Sequence, residues 1–257
     1  GCGKNDMDYT MQNESSVAES VRETGEESVL IQNEDAGEGE NAAPETKYIT
    51  IDLSGVGEIH PKGDAVSPLT LKIVSENGID FANEWYESKQ LSLPMVGKEW
   101  NNFYDDEYQY IWSGDALYIY ENISGNCLYV LEYPTDKWYI NGNNACLLDD
   151  IFYGISVTNG YAQPDSCFMF AYDLENNKLL WRSGDQTCNT MNFIVKKDVI
   201  ICGYGFTSEK DYLYQLNLHT GEVIASLELK KQPDLLVPQD NMLYVHTYSY
   251  NYTIEMQ

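Results

Sequence analysis

Five carboxylates stand where hydrolytic chemistry could occur: Asp105, Asp106 and Glu107 in one run, Asp149 and Asp150 in another. A pair of carboxyl groups held at a suitable separation can cleave a glycosidic bond, one as acid and the other as base or nucleophile. The competing reading sets these acids at turn tips, where a charged side chain is simply solvated. Nucleophilic and metal chemistry find less support. His60, His219 and His246 are scattered, with no His-x-x-x-His spacing and no adjoining carboxylate pattern. No serine lies in a Gly-x-Ser-x-Gly elbow. Gly203-Tyr204-Gly205 follows a strand pattern with no helix after it, so these glycines read as a strand end or bulge. No catalytic residue, metal site or cofactor is therefore assigned.

The six cysteines fall into three groups. Gly1-Cys2-Gly3 resembles the mature end of a bacterial lipoprotein, in which a signal peptide is cut just before a cysteine that then carries lipid. The resemblance implies lipidation at Cys2, a membrane partner through that lipid, and an extracytoplasmic location on the cell surface. Cys127 and Cys167 each open a strand pattern, and Cys146 and Cys188 follow them by 19 and 21 residues. In an exported protein the repeated spacing suggests disulfides Cys127–Cys146 and Cys167–Cys188, leaving Cys202 free. Burial of all five as small hydrophobic residues accounts for the same positions. No pair has the Cys-x-x-Cys spacing of a zinc or redox site.

Charge and composition narrow the partners. The formal net charge of −26 opposes binding to nucleic acid phosphates and to anionic lipid headgroups. No run of 18 or more apolar residues is present to span a bilayer. Residues 3–46 hold twelve Asp or Glu, two basic residues (Lys4 and Arg22) and no Phe or Trp. Such a segment cannot bury enough apolar surface to offset the entropy of ordering it, so residues 1–46 read as a lipidated end and a disordered acidic tether. The short apolar run Ser28–Gln32 is not assigned a strand.

The 21 tyrosines are the remaining signal. Tyr244, Tyr248, Tyr250 and Tyr252 lie at even spacing and would share one strand face, and Tyr104, Tyr108 and Tyr110 do much the same. Core packing is one reading. The other is an aromatic platform for a glycan or a protein, since a flat ring offers contact area at low entropic cost.

The elements that must position these residues are strands. Residues 168–181 and 212–225 carry one pattern twice: an alternating apolar run, a polar tip at Asn176-Asn177 or Thr220-Gly221, and a second apolar run. That is a β-hairpin signature. Tips near Asp136, Asn177 and Gly221 are 41 and 44 residues apart. A second ladder of Asp-tipped hairpins at Asp115, Asp150, Asp198 and Asn241 has intervals of 35, 48 and 43. The two interleave, which makes a unit of about four short strands in roughly 40 residues, the size of a propeller blade.

The stretch from Phe168 to Trp181 resembles a blade of the quinoprotein-type propeller family, which repeats a strand, an Asp-x-x-Thr-Gly-Lys-like turn and a strand ending in Trp. Residues 212–225 match the turn at His219-Thr220-Gly221-Glu222 but carry Ala225 in place of the Trp. The resemblance extends over about residues 108–257. It implies an all-β propeller, and the family includes non-catalytic lipoproteins that scaffold outer-membrane assembly. Its quinone-dependent enzymes use more blades, and no calcium-carboxylate set is recognisable here.

Residues 47–257 are thus expected to form a small propeller of about five blades, near 69–104, 108–140, 145–182, 191–229 and 234–257. Tyr48–Leu53 would supply the strand missing from the last, because closure removes an exposed sheet edge. The turn signal Glu76-Asn77-Gly78 ends one strand, and residues 82–93 read as either strand or short helix. The function expected is a non-catalytic cell-surface binding or scaffolding lipoprotein that meets an envelope protein or glycan through rim loops. A five-bladed-propeller glycoside hydrolase is the alternative. Asn-x-Ser/Thr sequons at Asn13, Asn122 and Asn251 count as chance, since the lipoprotein resemblance implies a bacterium.

Overall fold

A computed structural model describes residues 42–78, 102–132, 145–157, 165–206 and 208–257. The chain divides into two compact units, Gly1–Ala42 and Ala43–Gln257. Cys2, Asp136, residues 28–32 and residues 82–93 lie outside the described residues.

The described part of the second unit is all-β, a propeller of four sheets. The first sheet is built from β3 (Asn102–Tyr104), β4 (Tyr108–Ser113), β5 (Ala116–Glu121) and β6 (Cys127–Glu132), with β1 (Lys47–Thr50) added in parallel along β6. β7 (Ala145–Leu148), β8 (Ile151–Ser156), β9 (Phe168–Asp173) and β10 (Lys178–Arg182) form the second. The third comprises β11 (Ile194–Lys196), β12 (Val199–Tyr204), β13 (Asp211–Asn217) and β14 (Val223–Leu229). In the fourth, β15 (Pro233–Gln239), β16 (Met242–Thr247) and β17 (Tyr250–Met256) are joined by β2 (Leu71–Gly78).

Successive sheets pack face to face. Leu117 and Ile119 of the first share a buried cluster with Phe152 and Phe170 of the second. Ile155 and Trp181 meet Ile200 and Leu216 of the third, whose Ile201 and Leu213 meet Leu243 and Ile254 of the fourth. A strand covered on both faces should be apolar throughout and not alternating. Val199–Tyr204, buried at every position, is such a strand. At the edges of the blades, Trp181 closes the joint between the second and third sheets. Its indole N–H donates to the Leu218 carbonyl (3.0 Å) and its ring lies on Gly221. Gly221 has φ +72°, and a Cβ there would come within 2.3 Å of the ring.

Among the described residues four sheets stand where five blades are expected, for a definite reason. The described ends of residues 69–104 belong to two different sheets: β2 pairs with β17, and β3 pairs with β4. The last sheet is indeed completed by an early strand, but that strand is β2 and not Tyr48–Leu53. β2 runs through the anticipated turn, with Asn77 opposite Asn251 and Gly78 opposite Tyr250.

The ladder of Asp tips shifts as well. In each sheet the tip between the first two strands offers a carbonyl to the amide that follows or ends the third strand: Glu107 to Asn122, Asp150 to Leu174, Asp198 to Leu218, Asn241 to Met256. The equivalent of Asp150 in the first sheet is therefore Glu107, which makes the intervals 43, 48 and 43. Asp115 sits in the turn between β4 and β5 instead. The counterpart of Asn177 (φ +50°) and Gly221 is Gly125 (φ +70°), whose amide, like that of Gly221, bonds back four residues.

Residues 46–78 form a strap that touches the four sheets in order. Thr46 and Ile51 bond to Cys127 and Glu132 of β6. Ile59 exchanges two backbone bonds of 3.0 Å with Arg182 of β10. His60 Nδ1 donates to the Thr220 carbonyl (2.7 Å), and Asn217 donates to the Asp64 carbonyl (3.1 Å). The buried amide of Gln215 satisfies both backbone groups of Leu69, at 2.8 and 2.9 Å. Thr70 then pairs with Gln257 and leads into β2.

The Trp181–Gly221 joint yields a quantitative expectation. Trp181→Ala should cost about 3–5 kcal/mol of unfolding free energy, as large core truncations do. Gly221→Ala should cost roughly 1–3 kcal/mol, through its positive φ and overpacking against the indole. Urea denaturation of both variants measures the losses.

Candidate functional site

The first strands of the four sheets, β3, β7, β11 and β15, surround a cavity of about 410 Å³. Phe103, Leu147, Ile194 and Pro238, one from each strand, give it an apolar wall. The polar groups are few, and their bonding decides what the cavity can do.

Asp105, Asp106 and Glu107 line it at the β3–β4 turn. Asp105 is committed to the turn itself. Its Oδ1 accepts the amides of Glu107 (2.9 Å) and Tyr108 (2.8 Å), and Oδ2 accepts the Tyr110 hydroxyl (2.7 Å). Tyr110, fully buried and stacked on Phe103 at 4.9 Å, also accepts the Leu147 amide (2.8 Å) through the same oxygen. That hydroxyl joins the first sheet to the inner strand of the second, and burial raises its pKa far above the ordinary range. Asn192 bonds through its side chain to both backbone groups of Leu236. Burial pushes the Cys146 thiol up to about 12, so it is a neutral thiol and a poor nucleophile.

Asp106 and Glu107 stay exposed at the mouth, and Asp149 and Asp150 are exposed at the neighbouring β7–β8 turn. Asp150 accepts the Tyr129 hydroxyl. The five acids of the sequence thus gather on the rim of the first two blades, one locked into its turn and one holding a tyrosine. Among the described residues, no group of three or more His, Cys, Asp or Glu side chains could hold a metal ion. No helix among them is long and apolar enough to cross a membrane.

The tyrosine stripe does not assemble. The hairpin tip at Tyr248-Ser249 lies inside it and resets the alternation. Tyr252 pairs with Val245 and is buried against the third sheet, where its hydroxyl accepts the Lys230 amide (2.8 Å). Tyr250 packs on the same cluster beneath the Lys230 ammonium. Tyr244 pairs with Thr253 on the opposite face, against Leu235 and Val237. Tyr248 alone is strongly exposed, at 88%.

Nor are the expected cysteine pairs joined: Cys127, Cys146, Cys167, Cys188 and Cys202 all carry free thiols. Cys127 lies on β6 and Cys146 on cavity-lining β7. β6 is three strand spacings out from the cavity, roughly 14 Å, beyond the reach of a disulfide. Cys188 and Cys167 meet through the backbone, the amide of one on the carbonyl of the other (3.0 Å). Sequence reasoning also missed Gln215, Asn192 and Tyr110 as the polar joints between blades. The Asp-x-Glu-Tyr spacing at residues 105–108 is the one local signal, that of an Asx turn.

The fold and its axial cavity define a β-propeller. Solved structures similar to it include BamB from Moraxella catarrhalis, with 12% identity, 64% of this chain and 61% of that chain covered, and a TM-score of 0.35. The quinohemoprotein alcohol dehydrogenase ADHIIG from Pseudomonas putida HK5 is 10% identical, with 69% and 30% coverage and a TM-score of 0.39. A europium-containing methanol dehydrogenase is 13% identical, with 62% and 27% coverage and a TM-score of 0.35. The chain spans less than two thirds of the length of each. At these scores they bear on neither activity nor partner. No family model matches the sequence, and no curated protein matches it.

Two outcomes follow. Tyr110→Phe removes a buried donor and leaves the Leu147 amide unpaired, so it should lower stability by about 1–3 kcal/mol in urea titrations. Asp234, at the other end of β15 from Pro238, has its carboxyl pushed up to about 6 by burial. A raised carboxyl pKa gives stability that is full below the ordinary value near 3.9 and lost as pH rises through about 6. Asp234→Asn should flatten the fall in melting temperature between about pH 4 and 6 and leave the variant more stable than the parent at pH 7.

Proposed function

We propose that this protein is a non-catalytic binding or scaffolding module, anchored outside the cytoplasm by lipid on Cys2. Its partner is an envelope protein or a glycan, met at the rim of the axial cavity. One observation carries the reading: the cavity is apolar, and Asp105, Tyr110 and Asn192 in or beside its wall are engaged in bonds that hold the blades together. Such a wall can receive an apolar or aromatic group while the exposed acids around it select for positive or hydrogen-bonding neighbours. The strong net negative charge directs the surface away from nucleic acid and anionic lipid.

A glycoside hydrolase is the second reading, favoured by one feature, the exposed Asp106 and Glu107 at the cavity mouth. The two readings part on turnover. Under the binding reading, an oligosaccharide or envelope partner raises the melting temperature by roughly 5–10 °C at a hundredfold excess over its Kd, with no product formed. Filling the cavity by Leu148→Trp should abolish that shift. Hydrolysis that is lost in Asp106→Asn or Glu107→Gln would establish the enzyme instead. For the anchor, Cys2→Ala should move the protein from the membrane to the soluble fraction of its native cells, and its retention in the membrane would contradict lipidation.

A further inference from the structure

The thiols that the fold brings together are Cys188 and Cys202, a pairing that the repeated cysteine spacing does not suggest. Cys202 lies on β12 and Cys188 on the connection that carries the chain from the second sheet to the third. Both are fully buried in the cluster between those sheets. The backbone sets them side by side. The Asn189 amide donates to the Gly203 carbonyl (2.9 Å), and the Cys202 thiol donates to the Thr187 carbonyl (3.6 Å), so the residues on either side of Cys188 are tied to Cys202 and its neighbour. Both side chains belong to the same buried cluster, close enough for each to perturb the other's titration. Cys188 also meets the Thr190 hydroxyl at 3.3 Å. That hydroxyl also donates to the Asn192 carbonyl (2.7 Å), which fixes its place beside Cys188. Burial pushes the Cys202 thiol well above its ordinary range. Cys167 is a weaker partner: its sulfur faces Ser166 Oγ at 3.3 Å, and its φ is +60°, in a turn.

We infer that Cys188 and Cys202 form the disulfide of this protein when the chain folds in the presence of a disulfide carrier. The native interior keeps both out of solvent and out of a carrier's reach, so exchange takes place before burial or in an opened state. One thiolate attacks the carrier disulfide, forming a mixed disulfide and releasing a carrier thiolate. The other then attacks the protein-side sulfur, closing the Cys188–Cys202 bond and releasing the second carrier thiolate. Two electrons pass from the cysteines to the carrier, and two protons leave the protein thiols. The bond closes a 15-residue loop and clamps the inter-sheet connection onto β12. The inference does not depend on where the protein resides, only on contact with such a carrier.

The test uses the full chain, unfolded and refolded in oxidised and reduced glutathione. Remaining thiols are alkylated in denaturant, and the protein is digested without reduction for peptide mapping. The expected result is a linked peptide pair containing Cys188 and Cys202. The oxidised protein should melt roughly 5–10 °C above its reduced form, and Cys202→Ala should lose that difference. Linkage of Cys167 to Cys188, or full alkylation of both Cys188 and Cys202 after oxidative refolding, would overturn the inference. The peptide map decides the matter even if the variant fails to fold.

Discussion

The constraint on which this structure depends is the pairing of β2 with β17. A sheet that ends in a three-stranded edge exposes a row of unsatisfied amides and carbonyls. Here the C-terminal strand would be that edge, and residues 71–78 cover it from Met256 to Tyr250. Bringing two segments so distant in sequence together carries a loop-closure cost that local strands do not. The strap spreads that cost along the molecule, since each blade it passes contributes its own bonds: β6, Arg182, Thr220, Asn217 and Gln215 in turn. Closure also determines the cavity, because β15 belongs to the same sheet as β17 and provides part of its wall.

Between blades, two kinds of joint recur. One is apolar, in the clusters shared by neighbouring sheets and in Trp181 lying on Gly221. The other is a single buried polar side chain that satisfies backbone groups on an adjoining segment: Gln215 with Leu69, Asn192 with Leu236, Tyr110 with Leu147. These bonds specify one packing, since a misplaced blade would leave a buried donor or acceptor unpaired. They also occupy Asp105, Tyr110 and Asn192 at the cavity wall. Asp106 and Glu107, by contrast, stay exposed at its mouth.

Much of the fold was legible because its signals are local. The hairpins around Asn177 and Gly221 follow from alternation plus a residue that tolerates positive φ, and both tips appear as expected. The second and third blades accordingly match their anticipated limits. What failed was long-range. Nothing in Leu71–Gly78 tells that its partner is β17 and not the chain that follows it, so by sequence it reads as part of a separate blade. Asp115 drew the ladder out of register because a turn acid looks the same between the first two strands as between the next two. The tyrosines at even spacing misled for a related reason: one hairpin tip at residues 248–249 reverses the chain and splits the stripe across both faces. The acids of the candidate site are legible in the sequence but their roles are not, since Asp105 is held by the backbone amides of its own turn.

Native-state hydrogen exchange of the full chain tests the closure most directly. If β2 completes the last blade, amides 251–256 of β17 and their partners in β2 should exchange only with the slowest amides of Val199–Tyr204, through global unfolding. Rapid exchange of both strands, with the third sheet still protected, would show that the blade is open at its edge and that the pairing does not hold the molecule together.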